Sequence, residues 1–338
     1  MKKIADRPIR WGIVATGGIA EKFCEALLFE ISRTGNSSLH AVASRSKAKA
    51  EAFAAAHLST RAQGMPRAYG SYEELFADPA VDIVYIATPH NLHAALSIQA
   101  LEAGKAVLCE KPVSLAAKEF GPVVEAARRS KCFFMEAMWM RFNPAVNHAL
   151  DWVRDGRLGD LRYLRCDFFL NAPYDPASRL FDPALGGGAL LDVGIYPVTA
   201  AYLFAGNKKP ERLEASFDRD GAGVDYYNRM ELRFASGLLA ELSSAIQLHG
   251  FDATRTLLVL GEKAAMVLPH FFMAQEARLL DGEGRLLEHF AAPFDCNGYE
   301  YEIREVERCL AAGLVESPLQ TLDDSVRVME ILDEARGL

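Results

Sequence analysis

The stretch RWGIVATGGIAEKF, Arg10–Phe23, decides how the chain begins to fold. Its apolar first half is typical of a buried strand, and the residues from Gly18 onward have helical spacing. The turn between them is small, and Gly17 would allow a close approach of the backbone to a ligand. Ala15 stands where the first glycine of a phosphate-binding turn is expected, and it adds only a methyl group. Because the first N–H groups of a helix attract negative charge, the stretch predicts a strand–turn–helix unit that holds a pyrophosphate.

Strands and helices alternate over the first 130 residues. The run VDIVYIAT at 81–88 is almost wholly apolar, as expected for a parallel strand that is buried on both faces. This alternation predicts an α/β fold with a doubly wound parallel sheet, a dinucleotide-binding Rossmann domain over residues 1–130. It also weakens the alternative that the opening turn is a tight turn without a ligand.

The regular alternation of strands and helices ends after residue 130. LRYLRCDFFL at 161–170 is a long strand with no helix close behind it, and the alternating pattern around Ser236–Gly237 indicates a hairpin. Two helices are expected at the end of the chain. Residues 131–338 are therefore predicted to form an α+β domain for substrate binding and dimerisation, with a large, mostly antiparallel open sheet.

The tip of the second strand bears on the choice of cofactor. An acidic residue there would bind the ribose hydroxyls of NAD and repel a 2′-phosphate. This chain instead has Ser44, Arg45 and Ser46, and an arginine can bind a phosphate with a planar fork of donors. The sequence favours NADP, with NAD as the other possibility; the bland alternative is that Arg45 is a solvated surface charge.

Composition excludes several classes of function. A formal net charge of −8 and a pI near 5.6 argue against a nucleic-acid partner. No signal peptide and no membrane-spanning run is apparent, so a cytoplasmic protein is expected. The six cysteines are scattered, and His249, His270 and His289 lie far apart in the sequence, so no metal site is predicted.

Five motifs in order make the chain resemble the Gfo/Idh/MocA oxidoreductases, most of all the dimeric dihydrodiol dehydrogenase or D-xylose 1-dehydrogenase (NADP) branch. Besides the opening stretch they are the following segments: IATPHNLHAALSIQALEAGKAVLCEKPVSL (86–115), FFMEAMWMRFNPAV (133–146), GRLGDLRYLRCDF (156–168) and GGGALLDVGIYPV (186–198). The resemblance spans residues 10 to about 205, and the rest of the chain matches only in general character.

The resemblance implies roles for particular residues. Lys111 would be the catalytic lysine, Asp192 would bind and orient the substrate, and Tyr196 stands where many relatives have histidine. Trp139 and Arg141 would line the substrate pocket, although an aromatic and basic cluster can also be plain core. Together with the opening turn, the expected cofactor-binding residues are Gly12, Ala15, Thr16, Gly17, Gly18, Ile19, Ser44, Arg45, Ser46, Thr88, His90, His93, Glu110 and Lys111.

The chemistry agrees with these roles. Oxidising CH–OH removes a hydride, which a nicotinamide accepts, and a proton, which needs a base within reach. A free tyrosine has a pKa near 10, and a lysine ammonium nearby favours the phenolate. Tyr196 as acid/base with Lys111 as its partner is therefore coherent, and the spacing predicts that Asp192 and Tyr196 share one face of a helix.

The sequence thus predicts an NAD(P)-dependent oxidoreductase that acts on a sugar, a cyclic polyol or a trans-dihydrodiol, as a homodimer or a dimer of dimers. Two alternatives stay open. One is an NAD-dependent glycoside hydrolase that works by transient oxidation and elimination, and for this Arg45 would be an odd choice. The other is a non-catalytic sensor of NADP(H), and the presence of both Lys111 and Tyr196 speaks against it.

Overall fold

In the computed structural model, which describes residues 7–58 and 64–338, the opening stretch folds as its sequence predicts. It forms strand β1, Ile9–Val14, and helix α1, Gly18–Thr34. The helix ends at Gly35, which has a φ of 68° and donates its N–H to the carbonyl of Ile31. Apolar residues of β1 are buried because both faces of the strand are covered, as in other parallel sheets.

Five more strands complete a six-stranded parallel sheet around β1. They are β2 (Ser37–Ala43), β3 (Arg67–Tyr69), β4 (Ile83–Ile86), β5 (Ala106–Glu110) and β6 (Phe134–Ala137). The strand order is β3-β2-β1-β4-β5-β6, so the direction of winding reverses between β1 and β4. Ligands of such sheets bind at the carboxyl ends of the strands, beside this reversal.

The helices between these strands also follow the sequence. They are α2 (Lys47–Leu58), α3 (Tyr72–Ala77), α4 (His93–Glu102) and α5 (Ala117–Ser130). Ser71 caps α3, because its side chain accepts the N–H of Glu74. The carboxylate of Glu74 in turn accepts the N–H of Gly70, one residue before the position that a standard capping box uses.

Eight strands form a second, mostly antiparallel sheet. In sequence they are β7 (Leu161–Phe169), β8 (Arg212–Arg219), β9 (Asp225–Arg233), β10 (Leu239–Ala245), β11 (Leu257–Gly261), β12 (Ala265–Leu268), β13 (Glu276–Leu280) and β14 (Leu286–Ala291). Their order is β14-β13-β12-β11-β7-β10-β9-β8, and every neighbouring pair is antiparallel except β7 with β10. The hairpin predicted around Ser236–Gly237 joins β9 to β10. The two-sheet α/β architecture is therefore confirmed.

Four helices complete the described fold: α6 (Pro144–Arg154), α7 (Ile195–Phe204), α8 (Glu300–Ala311) and α9 (Leu322–Arg336). Helix α6 begins at Asn143, whose side chain accepts the N–H groups of Ala145 and Val146. Helices α6 and α7 pack on the second sheet. The stretch Pro183–Phe204 is apolar and long enough to cross a membrane, but 89% of its most apolar window is buried inside the fold.

The chain divides into two compact units whose limits differ from the predicted boundary at residue 130. The first comprises Met1–Ser114, Lys118–Trp139 and Asp295–Ser325, and the second Leu115–Ala117, Met140–Phe294 and Val326–Leu338. Residue 130 falls before β6, which completes the parallel sheet. Helix α8 belongs to the first unit because it packs on α1, a long-range contact that no local sequence pattern reports.

Candidate active site

The opening turn presents its backbone at the start of α1. The N–H of Ala15 donates to the carbonyl of Ala43 over 2.9 Å, which fastens the turn to β2. Ala15 has a φ of 83°, a left-handed conformation that glycine adopts without cost and alanine does not. Gly17 caps α1 without a side-chain hydrogen bond to the first-turn N–H groups. These N–H groups therefore suit a phosphate, which would bind where helix polarity favours an anion.

The three residues at the tip of β2 lie beside this turn. Ser44 is buried, and its N–H donates to the carbonyl of Tyr69. The carbonyl of Ser46 accepts the first N–H bonds of α2, while the side chain of Arg45 is exposed to solvent. None of the three carries a negative charge, so the tip has no group that would repel a 2′-phosphate.

Packing explains the glycine at position 12, whereas Thr88 has a hydroxyl that suits a ligand. A side chain at Gly12 would come within 2.9 Å of Leu75 of α3, so the packing of this helix on β1 accounts for the glycine without a ligand. Thr88 follows β4, at the carboxyl edge of the sheet, and is 6% exposed. Its hydroxyl oxygen has no hydrogen-bond partner among the described residues, as expected of a group that binds a ligand.

His93 lies between β4 and the turn that carries Lys111. Its Nε2 is 2.8 Å from the carbonyl oxygen of Thr88, and its Nδ1 is 2.7 Å from that of Pro112. Both ring nitrogens therefore face acceptors in a buried position, and the ring links the ends of two neighbouring strands. His90 is also buried, with its ring centroid 5.7 Å from that of His93.

Glu110 and Lys111 stand at the carboxyl end of β5. One carboxylate oxygen of Glu110 accepts the hydroxyl of Tyr85 over 2.5 Å, and the other accepts the N–H of Lys111 over 3.2 Å. Burial and the charge of Glu110 raise the pKa of Tyr85 well above its ordinary value. Glu302 of α8 is repelled by the negative charge of Glu110. Burial, and to a smaller extent this repulsion, raises the pKa of Glu302 well above 4.5. The backbone of Lys111, from which its side chain starts, is thus held by a buried cluster of acidic groups and a phenol.

The predicted pocket residues Trp139 and Arg141 are both buried. The ring of Trp139 stacks on that of Tyr299 with centroids 4.6 Å apart, so Trp139 packs inside the first unit. Arg141 belongs to the second unit, and its carbonyl accepts the side-chain amide of Asn147. Trp139 and Arg141 therefore have structural contacts of their own, and their part in substrate binding stays a prediction.

Asp192 and Tyr196 lie together in the second unit. Asp192 is 5% exposed and Tyr196 is 7% exposed. The ring of Tyr196 packs against the stacked pair Phe168 and Phe272, with centroids 5.6 and 5.9 Å away. The predicted α-helical spacing is modified here, because Leu190–Gly194 is a π-helical turn that precedes α7. Such wide turns are rare and are found often at functional sites.

A buried polar network supports the π-helical turn. Asp225 accepts the N–H of Leu190 over 2.9 Å and the amide of Asn228 over 2.8 Å, and Ser244 donates to the other end of that amide. Burial raises the pKa of Asp225 above its ordinary value. A side chain at Gly188, where φ is 126°, would collide with Asp225. Glycine at position 188 therefore allows this close contact.

Sequence reasoning missed two contacts of the candidate site. Arg179 forms an ion pair with Asp192, with 2.7 Å between Nη1 and Oδ1. Glu302 interacts with Glu110, although the two residues are far apart in the sequence. Neither residue is part of a motif, and only the helical periodicity of α8, which turns Glu302 to the same side as Ile303 and Val306, hinted that this glutamate is buried.

Comparisons with known proteins identify the family of the chain. Residues 9–138 match the model of an oxidoreductase family with an NAD-binding Rossmann fold, and residues 146–267 match the GFO/IDH/MocA C-terminal domain. The chain is 37% identical over 333 residues to the trans-1,2-dihydrobenzene-1,2-diol dehydrogenase of Homo sapiens, covering 97% of this chain and 96% of that protein. The Danio rerio enzyme of the same name is 35% identical, with the same coverage.

Solved structures show the same architecture. An aldose-aldose oxidoreductase from Caulobacter crescentus superposes with a TM-score of 0.85 at 25% identity, over 98% of both chains. A levoglucosan dehydrogenase in complex with NADH and levoglucosan also gives a TM-score of 0.85, and at 18% identity it supports the fold alone. With two family models covering most of its length, the chain belongs to the Gfo/Idh/MocA family and is an NAD(P)-dependent dehydrogenase.

Proposed function

We propose that this enzyme transfers a hydride between NADP and a CH–OH group of a sugar, a cyclic polyol or a trans-dihydrodiol. The relatives named after dihydrobenzenediol match the chain almost end to end. The observation that carries the proposal is that a buried carboxylate, Asp192, and a buried phenol, Tyr196, lie four residues apart, where the π-helical turn of the second unit meets α7. Such a pair can bind two hydroxyl groups of a small substrate at once.

Tyr196 would move the proton. Its aromatic neighbours Phe168 and Phe272 exclude water from most of its ring, so the hydroxyl is the part that meets the substrate. Bound NADP supplies the hydride acceptor. Tyr196 takes the proton of the reacting hydroxyl in the oxidation and returns it in the reduction.

Lys111 would assist by its charge. Glu110 accepts the backbone N–H of Lys111 and is itself held by Tyr85, so the start of the lysine side chain is fixed. A positive charge stabilises a phenolate and thereby lowers the barrier for proton transfer from the substrate. We assign Lys111 this role, and Asp192 the role of orienting the substrate.

The cofactor site would prefer NADP to NAD. The support is the exposed guanidinium of Arg45 at the tip of β2, between two serines. An arginine fork binds the 2′-phosphate with charge-assisted hydrogen bonds. The remaining contacts would come from the N–H groups at the start of α1 and from the hydroxyl of Thr88.

The protein would assemble as a dimer through the second sheet. The four strands β7, β10, β9 and β8, which run from the middle of this sheet to its edge, line a cavity of about 420 Å³ with charges of both signs, including Arg165, Glu214, Arg229 and Glu231. A surface that mixes both signs can complement itself across a twofold axis. Sedimentation velocity at low and high salt tests this: we expect a dimer that salt weakens, and a monomer at all protein concentrations would refute it.

A substrate screen tests the proposed activity. Aldoses, inositols and cyclic diols are supplied with NAD and NADP in parallel, and reduced nicotinamide is followed by its absorbance. We expect turnover with at least one cyclic diol or sugar, faster with NADP, and its loss in Tyr196→Phe. Glycoside cleavage without net reduction of the cofactor would indicate the hydrolase alternative, and binding of NADP(H) without any turnover would indicate the sensor.

A further inference from the structure

A cleft rich in arginine lies at the amino end of the parallel sheet, within the first unit. Its volume is about 590 Å³, which is in the range of sites for small molecules. Its wall includes Ile9, the first residue of β1, and Gly35 and Asn36, which link α1 to β2. The turn that suits the cofactor lies at the other end of α1, about 25 Å away by the length of this helix of 17 residues. The cleft is therefore separate from the cofactor site.

Four arginines reach this cleft, namely Arg7, Arg33, Arg304 and Arg308. Two of them share one carboxylate. Glu30 of α1 is fully buried and accepts hydrogen bonds from Arg33 and from Arg304, with closest distances of 2.7 and 2.6 Å. Arg304 also lies 2.7 Å from Asp295, whose side chain is 51% exposed. The two guanidinium groups are thus held side by side through a single buried anion.

The same arrangement occurs at Arg7. Asp82 pairs with Arg7 over 2.6 Å and with Arg10 over 3.0 Å, so that one carboxylate again carries two guanidinium groups. Arg308 has a partner of its own, because Glu305 accepts its Nε and Nη2 over 2.8 Å each. The arginines of the cleft are therefore fixed in place, and their positive charge is only partly balanced.

The arginines keep donors for a further partner. Arg33, Arg304 and Arg308 all bind their carboxylates through Nε and Nη2. In the part of the chain that the structure describes, their Nη1 groups have no hydrogen-bond acceptor. A guanidinium held by one edge can offer its other edge to an oxyanion without further ordering.

The acidic residue on the described wall of the cleft, Glu307, opposes an anion only weakly. Its side chain is buried and accepts the hydroxyl of Ser37 over 2.6 Å. Burial raises the pKa of Glu307, so its neutral form is favoured more than that of an exposed carboxylate. The cleft thus concentrates positive charge on a chain whose formal net charge is −8.

We propose that this cleft is a second ligand site, which binds a small polyanion through phosphate or carboxylate oxygens. The occupant would bridge guanidinium groups from three parts of the chain: the residues before β1, the last turn of α1 and the outer face of α8. Such an anion gains charge-assisted hydrogen bonds from donors that the fold has already oriented. The proposal is independent of the substrate, because the cleft lies away from the carboxyl edge of the sheet.

Isothermal titration of the enzyme saturated with NADPH tests the site, since the cofactor then fills the phosphate-binding turn before α1. The probes are pyrophosphate and citrate at matched ionic strength. Arg7→Met and Arg33→Met are the test variants, because Asp82 and Glu30 each keep their second arginine. Melting temperatures without anion should therefore stay close to that of the wild type.

We expect at least one probe to bind the wild type, and each test variant to bind it about tenfold more weakly, as for loss of a charged hydrogen bond. Tighter binding of pyrophosphate would assign the site to phosphate groups, and tighter binding of citrate to carboxylates. Arg33→Lys should recover part of the affinity, since it keeps the charge and loses the fork.

Arg154→Met is the matched control, because Arg154 forms an exposed ion pair of 2.6 Å with Asp151 on α6. It should bind the probes as the wild type does. An equal weakening in this control, or unchanged binding in both test variants, would overturn the site. Failure of both probes to bind at millimolar concentration would also overturn it, and would leave Arg33 and Arg308 the role of balancing the partial negative charge at the ends of α1 and α8.

Discussion

Replacing Glu302 by glutamine should stabilise the protein, and increasingly so as pH rises. Glu302 is fully buried, and both of its carboxylate oxygens lack a hydrogen-bond partner among the described residues. Burial and the nearby charge of Glu110 raise its pKa well above 4.5. The folded protein therefore keeps a proton that the unfolded chain releases above pH 4.5, and folding becomes less favourable as pH rises from that value toward the folded pKa.

The size of the effect follows from the proton alone. While Glu302 stays protonated in the folded state, each pH unit above 4.5 costs the wild type about 1.4 kcal/mol relative to a variant without this titration. Between pH 5.5 and 7.5 the free energy of unfolding of Glu302→Gln should therefore rise relative to that of the wild type, by up to about 1.4 kcal/mol for each pH unit. Any fixed cost of burying the amide cancels in this difference.

Urea unfolding at several pH values, followed by circular dichroism, measures the effect. Glu300→Gln is the matched control on the same helix: Glu300 is equally buried but accepts the N–H groups of Cys296, Asn297 and Gly298. The free energy of unfolding of Glu300→Gln should be about 1–3 kcal/mol lower than that of the wild type at pH 7.5, because an amide is a weaker acceptor than a carboxylate. If the difference between Glu302→Gln and wild type did not change with pH, the buried, protonated state of Glu302 would be refuted.

Three further substitutions test other parts of the structure. Ala15→Gly should raise the free energy of unfolding by about 0.5–1 kcal/mol in urea, since glycine relieves the left-handed φ; a loss would contradict the strain. Asn228→Leu should lower it by about 2–4 kcal/mol, because Asp225 and Ser244 lose their partner; an unchanged melting temperature would argue against the network. Arg45→Glu should shift the ratio of kcat/KM for NADP over NAD by roughly tenfold or more toward NAD, and an unchanged ratio would remove Arg45 from the cofactor site.

Local patterns were sufficient to predict much of the fold. The opening strand, turn and helix and the hairpin after β9 all depend on residues close together in the chain. For these elements, the turn residues and the periodicity of apolar residues indicate the same structure, so the sequence favours one local conformation. The motif residues also lie where a parallel sheet presents them, at the carboxyl ends of β2, β4 and β5.

The parts that were not predicted depend on contacts between distant residues. Helix α8 joins the first unit by packing on α1, and its sequence alone is that of an ordinary amphipathic helix. From its sequence context, Arg179 would be expected to be a surface charge, but in the fold its loop places it in an ion pair with Asp192. The π-helical turn at Leu190–Gly194 is held by Asp225, 35 residues away from Leu190. No local pattern reports such pairings, because each is decided by tertiary packing.

A double-mutant cycle tests the central claim, that Tyr196 and Lys111 act as one proton-transfer pair. The rate of hydride transfer to NADP is measured in single turnovers for wild type, Tyr196→Phe, Lys111→Met and the double variant. Each single substitution should slow the reaction by about 10²–10⁴, and the double variant should be hardly slower than the worse of the two. Losses that multiply, or a Tyr196→Phe variant as fast as the wild type, would contradict the claim.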